Sequence, residues 1–314
     1  MIKLFRRNNL DNKLKAINVS IVLILVAILT AGCFGNENND NDKIGIIVTL
    51  PPQVEMVEAI GGDKVKVTEM VPADQSPHSY EPKPSQMKEV VKAKAYFKVG
   101  SGVEFEINHL DTIKEQNQDM KIFDCSKGIT ILEMDEHHHE ENSTRNGDHD
   151  HEGDDPHIWL SPSNTKFMVQ NIFDGLLKID SKNKGYYESN LEKYLDKLDN
   201  LINESHKKLD PYENNEFLVY HPAWGYFADE FNLIQLAVEE EGKAPGPSGI
   251  VALIEQAKEH NIKIIFVSPQ FDKSSAETIA GEIGGKVVTV NPLAENYIEN
   301  MEQVVDKMVE GFNL

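Results

Sequence analysis

The 314-residue sequence predicts an α/β fold of two lobes, each with a mainly parallel four-stranded sheet flanked by helices, joined by one long rigid helix. Three observations carry that prediction. From residue 43 onward, short runs rich in Val, Ile and Phe alternate with helical patterns; four runs fall before residue 130 and four after 215; and an unbroken helical periodicity separates the two groups.

The candidate strands are 44–50, 65–71, 95–99 and 121–125 in the first half, and 217–221, 234–238, 262–267 and 286–290 in the second. They are short and apolar enough to be buried on both faces. Helical stretches between them include 52–60, 85–91, 248–260 and 274–283. Gly281, Gly284 and Gly285 lie at the end of the last of these, where glycine caps a helix, so they are not read as a phosphate-binding loop. Residues 163–179 form an amphipathic helix. Beyond it, Tyr187, Leu191, Tyr194, Leu195, Leu198, Leu201, Ile202, Ser205 and Leu209 recur mostly at three- and four-residue steps, and no Gly or Pro interrupts residues 186–210. That helix is about 35 Å long at 1.5 Å per residue. Unlike a Gly/Ser linker it resists bending, which disfavours a wide hinge between lobes 43–185 and 211–314.

The first 32 residues differ from the rest. Lys3, Arg6, Arg7, Lys13 and Lys15 face a single Asp11, an apolar run follows at 17–31, and Leu29-Thr30-Ala31-Gly32 leads directly to Cys33. This is the pattern of a lipoprotein signal peptide over 1–32, with Cys33 the lipidated residue, the lipid bilayer its partner and 33–42 a polar, flexible tether. It places the protein outside the cytoplasm, on the outer face of the cell membrane or in a periplasm. The remaining cysteine, Cys125, sits in an apolar stretch and reads as a small buried hydrophobe.

The composition, 40% hydrophobic and 26% charged, is that of a globular protein, and the formal net charge is −21. So acidic a surface excludes nucleic acid and an anionic membrane surface as ligands and favours a cation. A low-complexity insert at 135–155 carries His137, His138, His139, His149 and His151 among acidic and small polar residues. It has no apolar residue to pack, and reads as a mobile loop with weak auxiliary affinity for divalent metals.

Three other histidines stand beside prolines. His78 lies in Ser76-Pro77-His78-Ser79-Tyr80-Glu81-Pro82 after a candidate strand, His157 in Asp155-Pro156-His157-Ile158-Trp159, and His221 at the end of a strand before Pro222. Ligands of open α/β sheets bind outside the carboxyl ends of strands, where His78 and His221 fall in opposite lobes and which His157 can reach from its loop. Three imidazoles on rigid turns suit a tetrahedral zinc site with one position left open. Protonation near the ordinary histidine pKa of about 6.5 is expected to weaken binding. His109, His206 and His260 fall within helical patterns and receive no role.

The stretches around His78 and His157, together with His221-Pro222-Ala223-Trp224-Gly225-Tyr226-Phe227, resemble the three ligand motifs of the zinc and manganese solute-binding lipoproteins of metal ABC transporters. The resemblance runs from about residue 43 to the C-terminus. It implies high-affinity capture of Zn2+, with Mn2+ possible, and delivery by a monomer to a membrane permease served by a cytoplasmic ATPase. His78, His157 and His221 match the first three ligands. The third position is commonly a carboxylate in manganese members, so His221 points to zinc, as does the His-rich insert. Members often place an Asp after the last strand, whereas this chain has Asn291. Water, Glu81 or Glu240 is therefore expected to complete the shell, and Asp155 to hold a histidine N–H from behind. A zinc hydrolase is the main alternative, but the chain lacks H-E-x-x-H and offers no evident base. A surface metal store or an adhesin is the other.

Overall fold

The computed structural model describes residues 43–133, 153–239, 246–271 and 273–314. The leader, the tether with Cys33, the loop histidines His137, His138, His139, His149 and His151, and Glu240 lie outside the described residues.

Two four-stranded parallel sheets organise the chain. The first contains β1 (Ile44–Val48), β2 (Val65–Glu69), β3 (Ala95–Lys98) and β4 (Lys121–Asp124) in the order β2-β1-β3-β4. The second repeats the order as β6-β5-β7-β8, with β5 Glu216–Val219, β6 Ile234–Ala237, β7 Ile264–Val267 and β8 Lys286–Thr289. All pairings are parallel, with Ile46 opposite Val67 and Ala95 in one sheet and Leu218 opposite Leu236 and Ile265 in the other. Each order reverses beside its first strand, which opens a crevice at the carboxyl ends there.

The helices are α1 (Pro52–Gly61), α2 (Pro84–Lys92), α3 (Glu104–Gln116), α4 (Pro162–Ile179), α5 (Lys184–Leu209), α6 (Gly225–Glu230), α7 (Pro247–Glu259), α8 (Ser274–Ile283) and α9 (Tyr297–Phe312). Proline opens α1, α2, α4 and α7, where its missing N–H costs nothing. Gly284, in the left-handed region at φ +63°, ends α8 as a capping glycine.

α5 is the joining helix, 26 residues long. It packs against α1 of the first lobe, against α4, and against α9 of the second lobe. Its buried stripe of Tyr187, Leu191, Tyr194, Leu198, Leu201 and Leu209 belongs to one hydrophobic cluster. That cluster contains the whole first-lobe core, and also Phe217, Val219, Ile264 and Phe266 from one face of the second sheet with Met301, Val305 and Met308 of α9. The opposite face of that sheet, with Leu218, Leu236, Ile265 and Val267, packs separately on α7 and α8 through Leu253, Ala257, Ala276 and Ile279. The two lobes therefore share a core. Glu55 of α1 ties both to the long helix, accepting from the Tyr194 hydroxyl at 2.7 Å and from Ile298 N of α9 at 3.4 Å. Wide hinge opening would break this continuous apolar contact. Cys125 is fully buried, as its apolar setting predicts, and burial pushes its thiol pKa up.

Candidate functional site

Three carboxyl-terminal crevice segments converge between the lobes. His78 sits in the turn-rich segment between β2 and α2, where its backbone N–H donates to Ser76 Oγ at 3.3 Å. His157 precedes the short 3-10 turn Ile158–Leu160, and Ala223 N donates to the carbonyl of His221 just beyond β5 at 2.8 Å. Proline beside each histidine restricts the local backbone, so the rings are aimed by turns that cannot continue a helix. The Phe271 ring stacks on His221 with centroids 4.9 Å apart, and Trp159 lies against His157 at 5.3 Å.

Nε2 of His221 stands 3.3 Å from Nε2 of His78 and 3.4 Å from Nε2 of His157. All three histidines offer ligand atoms within 4.8 Å of one another. Two nitrogens bound to zinc at about 2.0–2.1 Å in a tetrahedral shell stand roughly 3.3–3.4 Å apart, so the spacing matches that geometry.

The other ring nitrogens are equally informative. His157 Nδ1 meets Asp155 Oδ1 at 2.7 Å, His78 Nδ1 meets Glu104 Oε2 at 2.8 Å, and His221 Nδ1 meets Glu239 Oε1. A carboxylate accepts only, so each imidazole places its proton on Nδ1 and leaves the Nε2 lone pair toward the shared centre. Three lone pairs facing one another repel unless a cation lies between them. Burial is the largest influence on His78 and His221 and pushes both pKa values below the ordinary imidazole range; the carboxylates oppose that shift. Loss of the neutral, coordinating form is therefore displaced to lower pH than the ordinary value expected above.

The supporting shell is not uniform. The side chains of Asp155 and His157 are each 5% exposed and those of Glu239 and His221 are 4% and 8%, whereas Glu104 is 52% exposed and His78 32%. Glu104 opens α3, and the same turn is anchored by Glu106, whose buried carboxylate accepts from Val99 N at 2.6 Å, Gly100 N at 3.0 Å and the Thr49 hydroxyl. Burial raises the Glu106 pKa and those donors oppose the rise.

Of the expected fourth ligands, Glu240 lies outside the described residues, and Glu81 and Asn291 are engaged elsewhere. Glu81 instead lies 3.8 Å from Nε2 of His109, with its side chain turned to solvent. Asn291 Oδ1 accepts from Leu293 N and from Gln270 Nε2, both at 3.0 Å, so the amide oxygen is occupied in its own turn. Gln270 Nε2 also donates to Ala73 O at 2.7 Å, tying the His78 segment to the second lobe. Among the described residues no carboxylate joins the three histidines at ligand spacing. Asp155 holds a histidine N–H from behind, as expected. Glu104 and Glu239 were not foreseen; their only signal is an acidic residue shortly after a strand end. His109, His206 and His260 stand apart, paired with Glu81, Asp210 and Glu216.

The chain matches, over residues 46–311, the model of a family described as zinc-uptake complex component A, periplasmic. It is 30% identical to the high-affinity zinc uptake system protein ZnuA of Bacillus subtilis, across 92% of this chain and 94% of that protein. It is 27% identical to the manganese-binding lipoprotein MntA of Halalkalibacterium halodurans, across 96% of this chain and all of that one. A crystal structure of ZnuA superposes with a TM-score of 0.78 at 38% identity, covering 86% of this chain and 99% of that chain.

Proposed function

Because the chain belongs to the zinc-uptake complex component A family, we propose that it captures zinc outside the cytoplasm and delivers it to a membrane permease driven by a cytoplasmic ATPase. His78, His157 and His221 are the ligands, with water or Glu240 in the fourth position. The observation that carries this reading is the convergence of the three rings, with His221 Nε2 at 3.3 and 3.4 Å from the other two Nε2 atoms, while a carboxylate engages each Nδ1. The ion is cargo and no reaction step is needed; the family is one of solute-binding components, and we read the chain as a binding protein without catalysis.

Zinc is favoured over manganese by the donor set. Manganese sites prefer oxygen ligands, whereas three imidazoles form a nitrogen-rich shell suited to zinc. The charge balance agrees, since Glu104, Asp155 and Glu239 stand behind three neutral imidazoles and offset the ion's +2 without coordinating it.

Anchoring through lipidated Cys33 on the outer face of the membrane, and action as a monomer, complete the proposal. The anchor reading rests on the sequence around Cys33 and on the lipoprotein relatives. Among the described residues no helix is long and apolar enough to cross a membrane.

The test is a competitive metal titration of the mature protein against Zn2+ and Mn2+, repeated with each of His78, His157 and His221 replaced by Ala. Zinc preference in the parent and a large loss in every variant are expected. Equal affinity for both ions would overturn the zinc assignment. Deleting residues 136–151 tests storage or adhesion through the His-rich insert as the main role. High-affinity binding should survive that deletion, and its disappearance with the insert would favour the store.

A further inference from the structure

We infer that Gly225 is a positioning residue for the metal site: its missing side chain leaves the space in which the Asp155 carboxylate turns to hold His157. The inference rests on the reading of His157 as a zinc ligand.

A Cβ added at residue 225 would stand 2.5 Å from Asp155 Oδ2 and 3.7 Å from its Cγ. Real Cβ atoms essentially never approach another heavy atom so closely, so something would have to move. The glycine is not there for its backbone freedom, because Gly225 is absent from the residues with positive φ and opens α6 in helical geometry. Alanine is the best helix former, so local conformation alone would favour it at this position.

Asp155 has little room to yield. Its Oδ1 accepts from both His157 N at 2.9 Å and His157 Nδ1 at 2.7 Å. Its backbone N–H donates to Leu132 O at 2.8 Å, and its carbonyl accepts from the Tyr226 hydroxyl at 3.1 Å. Tyr226 is the neighbour of Gly225, and its hydroxyl also accepts from Leu132 N at 2.9 Å, so α6 is fastened to the same loop. On the other side, Trp224 N donates to Gln235 Oε1 at 2.7 Å. With the helix and the loop both pinned, a methyl group at 225 is accommodated most readily by rotating the carboxylate away from His157 Nδ1. That rotation frees the imidazole to change tautomer and swing off the shared centre. Gly185 and Gly281 differ, since a Cβ at either meets nothing within 4 Å.

The test compares zinc affinity, by competitive titration, of the parent protein with Gly225→Ala, Asp155→Ala, the double variant and the control Gly281→Ala. Removing partners behind a metal ligand typically weakens binding 10- to 100-fold. Gly225→Ala should lose about that much, the double variant no more than Asp155→Ala alone, and Gly281→Ala nothing. The ligand-field spectrum of the Co2+-loaded protein should shift in Gly225→Ala toward that of Asp155→Ala, which a merely structural loss of stability would not produce. Affinity for Gly225→Ala within about twofold of the parent, or losses that multiply in the double variant, would overturn the inference. If Gly225→Ala does not fold, the double variant decides, because the clash is gone there: folding with Asp155→Ala affinity supports the inference, and failure to fold refutes it. His221→Ala, run alongside, separates the two levels. Parent-like zinc binding in His221→Ala defeats the metal reading itself, whereas a collapse there with Gly225→Ala unaffected defeats only the role of Gly225.

Discussion

The two sides of the histidine centre use the same bond in different surroundings. On one side, His78 and Glu104 meet in a half-open turn; on the other, His157 with Asp155 and His221 with Glu239 are almost completely buried. A charge-assisted bond near solvent is screened and competes with water, whereas the same bond inside protein is stronger and costlier to leave unmade. On the proposed zinc reading, the buried pair would set where the ion rests, and the partly exposed His78 would be the ligand most easily exchanged for solvent.

Removing single histidines should break that comparison most visibly. His221 lies between the other two, its ring centroid 5.0 Å from that of His78 and 5.2 Å from that of His157, against 6.4 Å between His78 and His157. His221→Ala should weaken zinc binding by well over a hundredfold, because loss of a partner behind a ligand already costs about 10- to 100-fold. His78→Ala leaves a buried pair intact and should cost less. Equal losses in a competitive titration would mean that the centre has no preferred side.

Next in size come the carboxylates. Glu239→Ala and Asp155→Ala are expected near the hundredfold end of that range, about 2.7 kcal/mol, and Glu104→Ala near tenfold or below. Measured zinc dissociation constants that rank Glu104 with the other two would refute burial as the deciding factor.

Acidity gives a smaller, graded effect. His78 and His221 have pKa values lowered chiefly by burial, so they stay neutral below the ordinary value of about 6.5. Zinc affinity should be nearly flat from pH 8 to about 6.5 and fall only at lower pH, as protons displace the ion. A curve already bending at pH 7 in titrations against a pH-insensitive competitor would contradict the sign of those shifts.

The smallest change is expected in overall shape. With Glu55, α5 and a common core binding the lobes, the radius of gyration in scattering should differ by less than about 1 Å between zinc-free and zinc-loaded protein. A change of several ångströms would show that the shared core opens.

Much of this organisation was readable from residue order. All eight strands fall where the apolar runs place them; the inner strands carry near-continuous apolar residues because both faces are covered, while the edge strands β2, β4, β6 and β8 are only partly buried and admit polar residues. The seventh begins at Ile264 rather than 262, since Ile262 N is already committed to Ala257 O, closing the end of α7 after the left-handed Asn261. α5 extends from Lys184 to Leu209, close to the uninterrupted periodicity that foretells it. α9 carries an equally regular stripe in Tyr297, Met301, Val304, Val305 and Met308.

The site was legible only in part. His78, His157 and His221 stand out because proline flanks each, a local signal. Glu104 and Glu239 carry no such mark among 52 acidic residues; each acquires its role from a histidine 26 or 18 positions away. Glu81 and Asn291 illustrate the converse, being well placed in sequence yet engaged by His109, Gln270 and Leu293 in space.

The continuous core also limits how the molecule can be divided. A fragment ending after α5 would leave that helix's second-lobe side bare, and the complementary fragment would expose Phe217, Val219, Ile264 and Phe266 along a sheet face. Neither half is a self-sufficient building block, so exchanging lobes between relatives to graft one metal preference onto another would have to transplant this seam as well as the ligands.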